Sequence, residues 1–263
     1  MRGNSYTLDW FMDTTGRDRL LRTLRQKHVM EWVASMNLAP STIGTRLGHV
    51  RGFSQWAVLM GHTKTDFTLG IKAPARPRSL PRELAPESVT KALIDADARL
   101  AVTILLRVSS GLRRAEVCRL EIGDIDRARR EAFVVGKGGH ERIVPLSLET
   151  LAAIDAYLAQ HPAASGPLIR SYSSGRALHP DSLTRLTTDN LKDSGVKTRN
   201  WDGVNGHAYR HTAAGALLDE GADLRDLMDF LGHSNLATTS IYTKRRGSSR
   251  RLQQHVDARR YGV

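Results

Sequence analysis

Four side chains able to bind or attack a phosphate lie close together late in the chain: His207, Arg210, His233 and Tyr242, within HAYRHTAAGALLDEGADLRDLMDFLGHSNLATTSIY. A spacing of three puts His207 and Arg210 on one face of a helix, where both can converge on one small anion. Gly221 is expected to cap that helix after an apolar pattern through Ala213, Ala214, Leu217 and Leu218. Asp223 then reads as the N-cap of a second helix, carrying Leu224, Leu227, Met228 and Leu231 and stopping at Gly232, which leaves His233 at a helix junction. Asn235 can cap a third helix that carries Ile241 inward and leaves Tyr242 near its end. Taken singly, a histidine more often hydrogen-bonds within a core and a tyrosine on a short helix more often packs. His207 and His211 also have the i, i+4 spacing of zinc ligands, but Ala208 stands where a zinc protease needs its glutamate base, and the chain has a single cysteine. No metal is expected.

Further phosphate-binding groups stand upstream, Arg113 with Glu116 in SGLRRAEVCRL and Lys137 in VVGKGGHERIVPL. With these added, the set resembles the tyrosine recombinase (lambda-integrase-like) family, over nearly the whole chain from about Leu8 to Tyr242. That family's motifs are an arginine in a GLR turn, a lysine in a hairpin GKG, a His-x-x-Arg, a Gly-His, and a nucleophilic tyrosine nine residues later. They are met here by Arg113, Lys137, His207 with Arg210, His233, and Tyr242. Two departures are visible: Tyr209 stands where the family usually has an aliphatic residue, and His140 where a lysine often follows the hairpin turn.

These residue types suit the cleavage of a DNA phosphodiester without metal or cofactor. Such a reaction needs a nucleophile, charge stabilisation on a pentacoordinate phosphate, and a proton for the leaving oxygen. Phenolate is a leaving group as well as a nucleophile, so a phosphotyrosine retains the energy of the broken bond and rejoining needs no ATP. Two guanidiniums stay charged and match phosphate oxygens with paired donors. His233 can donate to a nonbridging oxygen, and His207 can accept or relay the tyrosine proton. Lys137 is the natural acid for the 5′ oxygen, or else a plain phosphate contact. Glu116, one turn after Arg113, is expected to orient an arginine or buttress the site.

The rest of the chain must position these groups. Its 263 residues have room for two domains, and an apolar fraction of 40% suffices for conventional cores. A net charge of +12 and a pI near 10.3 point to a polyanionic partner. An anionic membrane is disfavoured: MRGNSYTLDWF has no apolar signal core, and runs such as AVTILL fall far short of spanning length. The expected location is the cytoplasm of a bacterial host, on DNA. Cys118 has no intrachain partner and reads as a small core residue.

Residues 1–73 read as a helical DNA-binding domain of the core-binding type. HVMEWVASM has an apolar face at Val29, Met30, Trp32 and Val33, and the helix opened by Pro40 and Ser41 has one at Ile43, Leu47, Val50, Phe53, Trp56, Ala57 and Met60. Arg46 and Arg51 on this helix are expected to contact phosphates, because residues 1–78 carry 12 Lys+Arg against 5 Asp+Glu while the remaining 185 carry 27 against 22. Residues 74–84 read as a basic, proline-rich linker, 85–243 as the catalytic domain, and 244–263 as a basic tail, a solvated end or an arm that docks on a neighbouring subunit. In the catalytic domain REAFVVGKGGHERIVPL reads as two short strands around a turn, with Lys137 at its tip, and the other segments read as helices. The expected fold class is mainly α with a small β-sheet, α+β.

The resemblance implies a site-specific DNA recombinase, of a phage or mobile element, working through a 3′-phosphotyrosyl intermediate. Its expected partners are double-stranded DNA with short inverted core half-sites and three further copies of itself as a homotetramer on two sites; direction, if any, is expected from core asymmetry or an accessory protein. The helical segment begins almost at Met1, so no arm-binding domain is expected and short core sites should suffice. Two rivals stay open: a type IB topoisomerase-like relaxing enzyme, and a noncatalytic DNA-binding regulator on the same fold.

Overall fold

The computed structural model describes residues 2–75, 82–199 and 204–232. The chain divides into two compact units, Met1–Ser79 and Leu80–Val263. The expected helix after Asn235, with His233, Ile241 and Tyr242, and the tail 244–263 lie outside the described residues, as does most of the linker.

The first unit holds three helices, α1 (Arg2–Thr15), α2 (Gln26–Ala34) and α3 (Pro40–Leu59). Pro40 takes the first turn of α3, where its missing N–H has no partner to lose. The buried residues of α3 are Ile43, Leu47, Val50, Ser54 and Ala57, a stripe stepping by three and four. They close on Phe11, Val29, Trp32 and Phe67, with the Phe11 and Trp32 rings edge-on at 5.2 Å. Three expected core residues instead face outward: Met30 is 59%, Met60 57% and Trp56 44% exposed. The stripe passes through Ser54, whose hydroxyl is satisfied inside. It donates to Asp66 Oδ1 at 2.6 Å and accepts from the Phe67 N–H at 3.0 Å. Trp56 then lies on the flank, stacked on Phe53 at 5.8 Å, and Met60 is the residue where the helix ends.

The second unit is built around α5 (Ala98–Val108), capped by Asp97, whose carboxylate accepts from the Leu100 N–H at 2.7 Å. Val102 and Leu106 join one core, with Leu112, Val117, Val134, Ile154 and Tyr157. Leu100 and Ile104 join another, with Leu191, Ala208 and Tyr209. A helix buried on two faces in this way is apolar nearly all round, as LAVTILL is. Around it lie α4 (Pro86–Ile94), α6 (Arg114–Arg119), α7 (Leu148–Gln160), α8 (Pro180–Asp193), α9 (His207–Asp219) and α10 (Leu224–Leu231). The expected hairpin is present as β2 (Glu131–Val135) and β3 (Glu141–Pro145), paired antiparallel from Glu131↔Pro145 to Val135↔Glu141. A two-residue strand, β1 (Ile125–Asp126), extends it to three strands in the order β1-β2-β3. The fold is therefore mainly helical with one small sheet. Among the described residues no helix is long and apolar enough to cross a membrane.

Candidate active site

Glu116 is the hub of the site. It sits on α6, is 2% exposed, and accepts hydrogen bonds from two arginines. Arg113, the N-cap of α6, donates its backbone N–H to Oε2 and its Nη1 to Oε1, each at 2.8 Å. Arg142, on β3, donates Nη1 to Oε1 at 3.1 Å and Nη2 to Oε2 at 2.8 Å. Arg210, one turn into α9, adds an ion pair at 3.9 Å. Burial raises the Glu116 pKa more than any other single cause, but the hydrogen bonds from Arg142 and from the Arg113 backbone and side chain outweigh it and hold the carboxyl at about 2. One carboxylate thus sits among three guanidiniums, and the local excess of positive charge suits an anion.

The end of α10 locks the same three arginines in place. The carbonyl of Phe230 accepts from Arg142 Nε at 3.2 Å, that of Leu231 from Arg210 Nη2, and that of Gly232 from Arg113 Nη2 at 3.0 Å. A helix C-terminus has unpaired carbonyls and the negative end of its dipole, and here guanidiniums satisfy both. Gly232 closes α10 in the left-handed region, at φ 61°, as the sequence predicts. Gly111 holds the other side. Its carbonyl accepts from Arg210 Nη1, its φ is +64°, and a Cβ there would fall 2.7 Å from Phe230 Cε1.

His207 opens α9, its backbone N–H donating to Asn205 Oδ1 at 2.8 Å. Its side chain is exposed to solvent on one side. Partial withdrawal from water, then the charges of Arg107, Arg114, Arg210 and Arg113, lower its pKa below the ordinary imidazole value. The shift favours the neutral imidazole, the form that can accept a proton. His211, one turn on, is lowered to about 4 by burial and by the charges of His207 and Arg210. Among the described residues no group of three or more His, Cys, Asp or Glu could hold a metal ion.

Arg113, Glu116 and Arg210 thus come together as one cluster, with His207 in their field. Lys137 is exposed in the short 3-10 turn Lys137–Gly139 at the hairpin tip. Its chain neighbour Gly136 is close in, since a Cβ there would lie 3.3 Å from Glu116 Oε1. Arg142 is the residue that the sequence reading passed over. Its signal was parity: on β3 it shares the inward face with buried Val144, where a charged residue needs a partner. In the other unit, Arg46 stacks over Trp10, 4.6 Å from the ring centre, and Arg51 Nη2 donates to the Ile71 carbonyl at 2.8 Å. Cys118 is buried in the core, which pushes its thiol up to about 11.

A model of the phage integrase family matches residues 85–248. The chain is 34% identical over 227 residues to the tyrosine recombinase XerC of Haemophilus ducreyi, covering 82% of this chain and 73% of that protein. It is 33% identical over 263 residues to XerC of Mycobacterium sp. (strain JLS), covering 92% and 85%. Among solved structures it is similar to a lambda integrase(75-356) dimer bound to a COC' core site, with TM-score 0.75 and 17% identity over 93% of this chain and 88% of that one. It is also similar to the XerA recombinase, with TM-score 0.59 and 21% identity over 99% and 92%.

Proposed function

The chain belongs to the phage integrase family, the tyrosine recombinases, and is a site-specific DNA recombinase, from which we propose that it cleaves DNA through Tyr242 and a 3′-phosphotyrosyl intermediate. The observation that carries the reading is the cluster of Arg113, Arg142 and Arg210 about the single carboxylate of Glu116, beside a His207 whose neutral form is favoured.

Arg113 and Arg210 are the phosphate clamp. Each has donors already anchored to protein carbonyls, so the guanidiniums are preorganised before DNA arrives. Tyr242 Oη attacks the scissile phosphorus as His207 takes the phenolic proton, and the bond from phosphorus to the 5′ oxygen breaks. Lys137 gives the departing oxygen a proton, leaving a 5′ hydroxyl. Reversal with a 5′ hydroxyl from a partner duplex restores the phosphodiester and frees Tyr242, so no cofactor is consumed. His233 donates to a nonbridging oxygen. Glu116 keeps the arginines in register and does not react.

The substrate is double-stranded DNA with short inverted core half-sites, held by four protomers on two sites in a bacterial cytoplasm, with any direction set by core asymmetry or an accessory protein. The basic helical unit, through Arg46 and Arg51, grips phosphates beside the crossover. The setting is a phage or other mobile element. The XerC relatives favour strand exchange between duplexes over simple relaxation or regulation. Purified protein given a plasmid with two candidate sites tests this: recombinant circles are expected, and relaxed topoisomers without recombinants would make it a topoisomerase.

A further inference from the structure

Arg107, near the end of α5, has no part in the chemistry above and is a costly residue to keep. It is 2% exposed, its Nε finds no hydrogen-bond partner, and no carboxylate among the described residues pairs with it. A buried charge without a counter-charge destabilises a fold, and an aliphatic residue would have continued the apolar surface of α5. Burial lowers its pKa to about 10, which still leaves it charged at neutral pH. Its surroundings point at the site. A Cβ on Gly206 would fall 2.6 Å from Arg107 Nη1 and 3.0 Å from Thr187 Oγ1. The guanidinium is therefore pressed on the backbone immediately before His207, an approach that only glycine permits. The buried hydroxyl of Tyr209, also without a hydrogen-bond partner, lies within its field. Among the charges acting on His207, that of Arg107 is the strongest.

We infer that Arg107 is a positioning residue for DNA cleavage: packed against Gly206 at the first turn of α9, its fixed charge opposes a proton on the His207 imidazole. This rests on the role given to His207 above. The charged and titratable groups facing His207 are Arg107 from α5, Arg113 and Arg114 from α6, and Arg210 and His211 from α9 itself. All but His211 are permanent cations, so each opposes a proton on the imidazole, and Arg107 does so from the protected side. Removing its charge lets His207 hold a proton to higher pH, which moves the loss of cleavage on the acid side upward. The same change relieves an unpaired buried charge and should leave the fold at least as stable.

The test follows single-turnover formation of the covalent complex against pH for the full chain, with Arg107→Met and Arg107→Lys beside wild type, together with thermal melts and an NMR titration of the His207 ring. Arg107→Met is expected to cleave several-fold more slowly than wild type near pH 6, with the gap closing above pH 8. Its melting temperature should not fall, and its His207 titration should move upward. Arg107→Lys keeps the charge and should keep the acid limb of wild type. An unmoved acid limb and His207 titration in Arg107→Met, an equal shift in Arg107→Lys, or a marked loss of stability in both would overturn the inference. A wild-type protein that forms no covalent complex at any pH would instead overturn the cleavage chemistry on which it rests.

Discussion

Arg142 and Glu116 meet as a two-pronged ion pair, Nη1 to Oε1 at 3.1 Å and Nη2 to Oε2 at 2.8 Å, in the interior of the catalytic unit. The pair joins the hairpin that presents Lys137 to the helix that begins with Arg113. Through Arg142 Nε and the Phe230 carbonyl it also reaches the end of α10, the residues just before His233. Three motifs far apart in sequence are thereby referred to one carboxylate. Arg142→Met should lower stability by about 3 kcal/mol, because a buried carboxylate loses its best partner. Cleavage should fall with it, and Arg142→Lys, unable to bond both oxygens in a planar fork, should recover only part of either. Chemical denaturation and covalent-complex assays on the two variants read this directly. Wild-type values for Arg142→Met would detach Arg142 from the site.

Glu116 sets a stability signature in acid. Its folded pKa, about 2, lies below the ordinary 4.5, so its contribution is present above the ordinary value and disappears as pH falls through the folded one. Glu116→Gln should therefore lose about 3 kcal/mol at pH 7 by linkage, with its deficit relative to wild type shrinking between about pH 4.5 and 2. Denaturation at a series of pH values measures it. A deficit that stays constant across that window would mean that the charge of Glu116 is not what holds the cluster.

Gly111 is strained for any other residue, at φ +64° with a Cβ directed at Phe230. Gly111→Ala should cost about 1–3 kcal/mol from backbone strain and the contact, and should weaken cleavage by displacing the carbonyl that anchors Arg210. Comparing it with Ile154→Ala, a loss of core packing on α7, separates the two effects. Equal cleavage per folded molecule in both variants would leave the Gly111 carbonyl without a role in the site.

Lys137 should act on the leaving oxygen. Lys137→Ala is expected to cleave ordinary DNA about 10²–10⁴-fold more slowly, the usual range for a lost general acid, and to recover most of that on a substrate with sulfur at the 5′ bridging position, which leaves without a proton. Equal impairment on both substrates would make Lys137 a phosphate contact.

Much of this was legible in the sequence because local rules fix it. Asp223 and Gly232 bracket α10 as cap chemistry requires, and the GKGG turn places Lys137 at a tip between alternating strands. Helical spacing paired His207 with Arg210, and the search upstream for further phosphate-binding groups added Arg113 and Glu116. What stayed hidden were contacts that no local rule encodes. Arg142 is recognisable as an inward charge only once the strand parity is known, and Arg107 looks like an interruption of an apolar helix until Gly206 is seen against it. The faces of Trp56 and Met60 were misjudged because Ser54 can occupy a core position on α3 when Asp66 and the Phe67 N–H satisfy it, which depends on a turn more than ten residues away; Met30, on α2, lies outside that stripe.

Trapping on a nicked suicide substrate followed by peptide mapping identifies the nucleophile. Tyr261, the other tyrosine beyond His233, stands in the basic tail with no histidine motif before it and serves as the internal control. A DNA-linked peptide containing Tyr242 is expected from the wild-type protein, formed in EDTA, and none from Tyr242→Phe, which should still bind the site. A DNA-linked peptide containing Tyr261, or undiminished trapping by Tyr242→Phe, would contradict it.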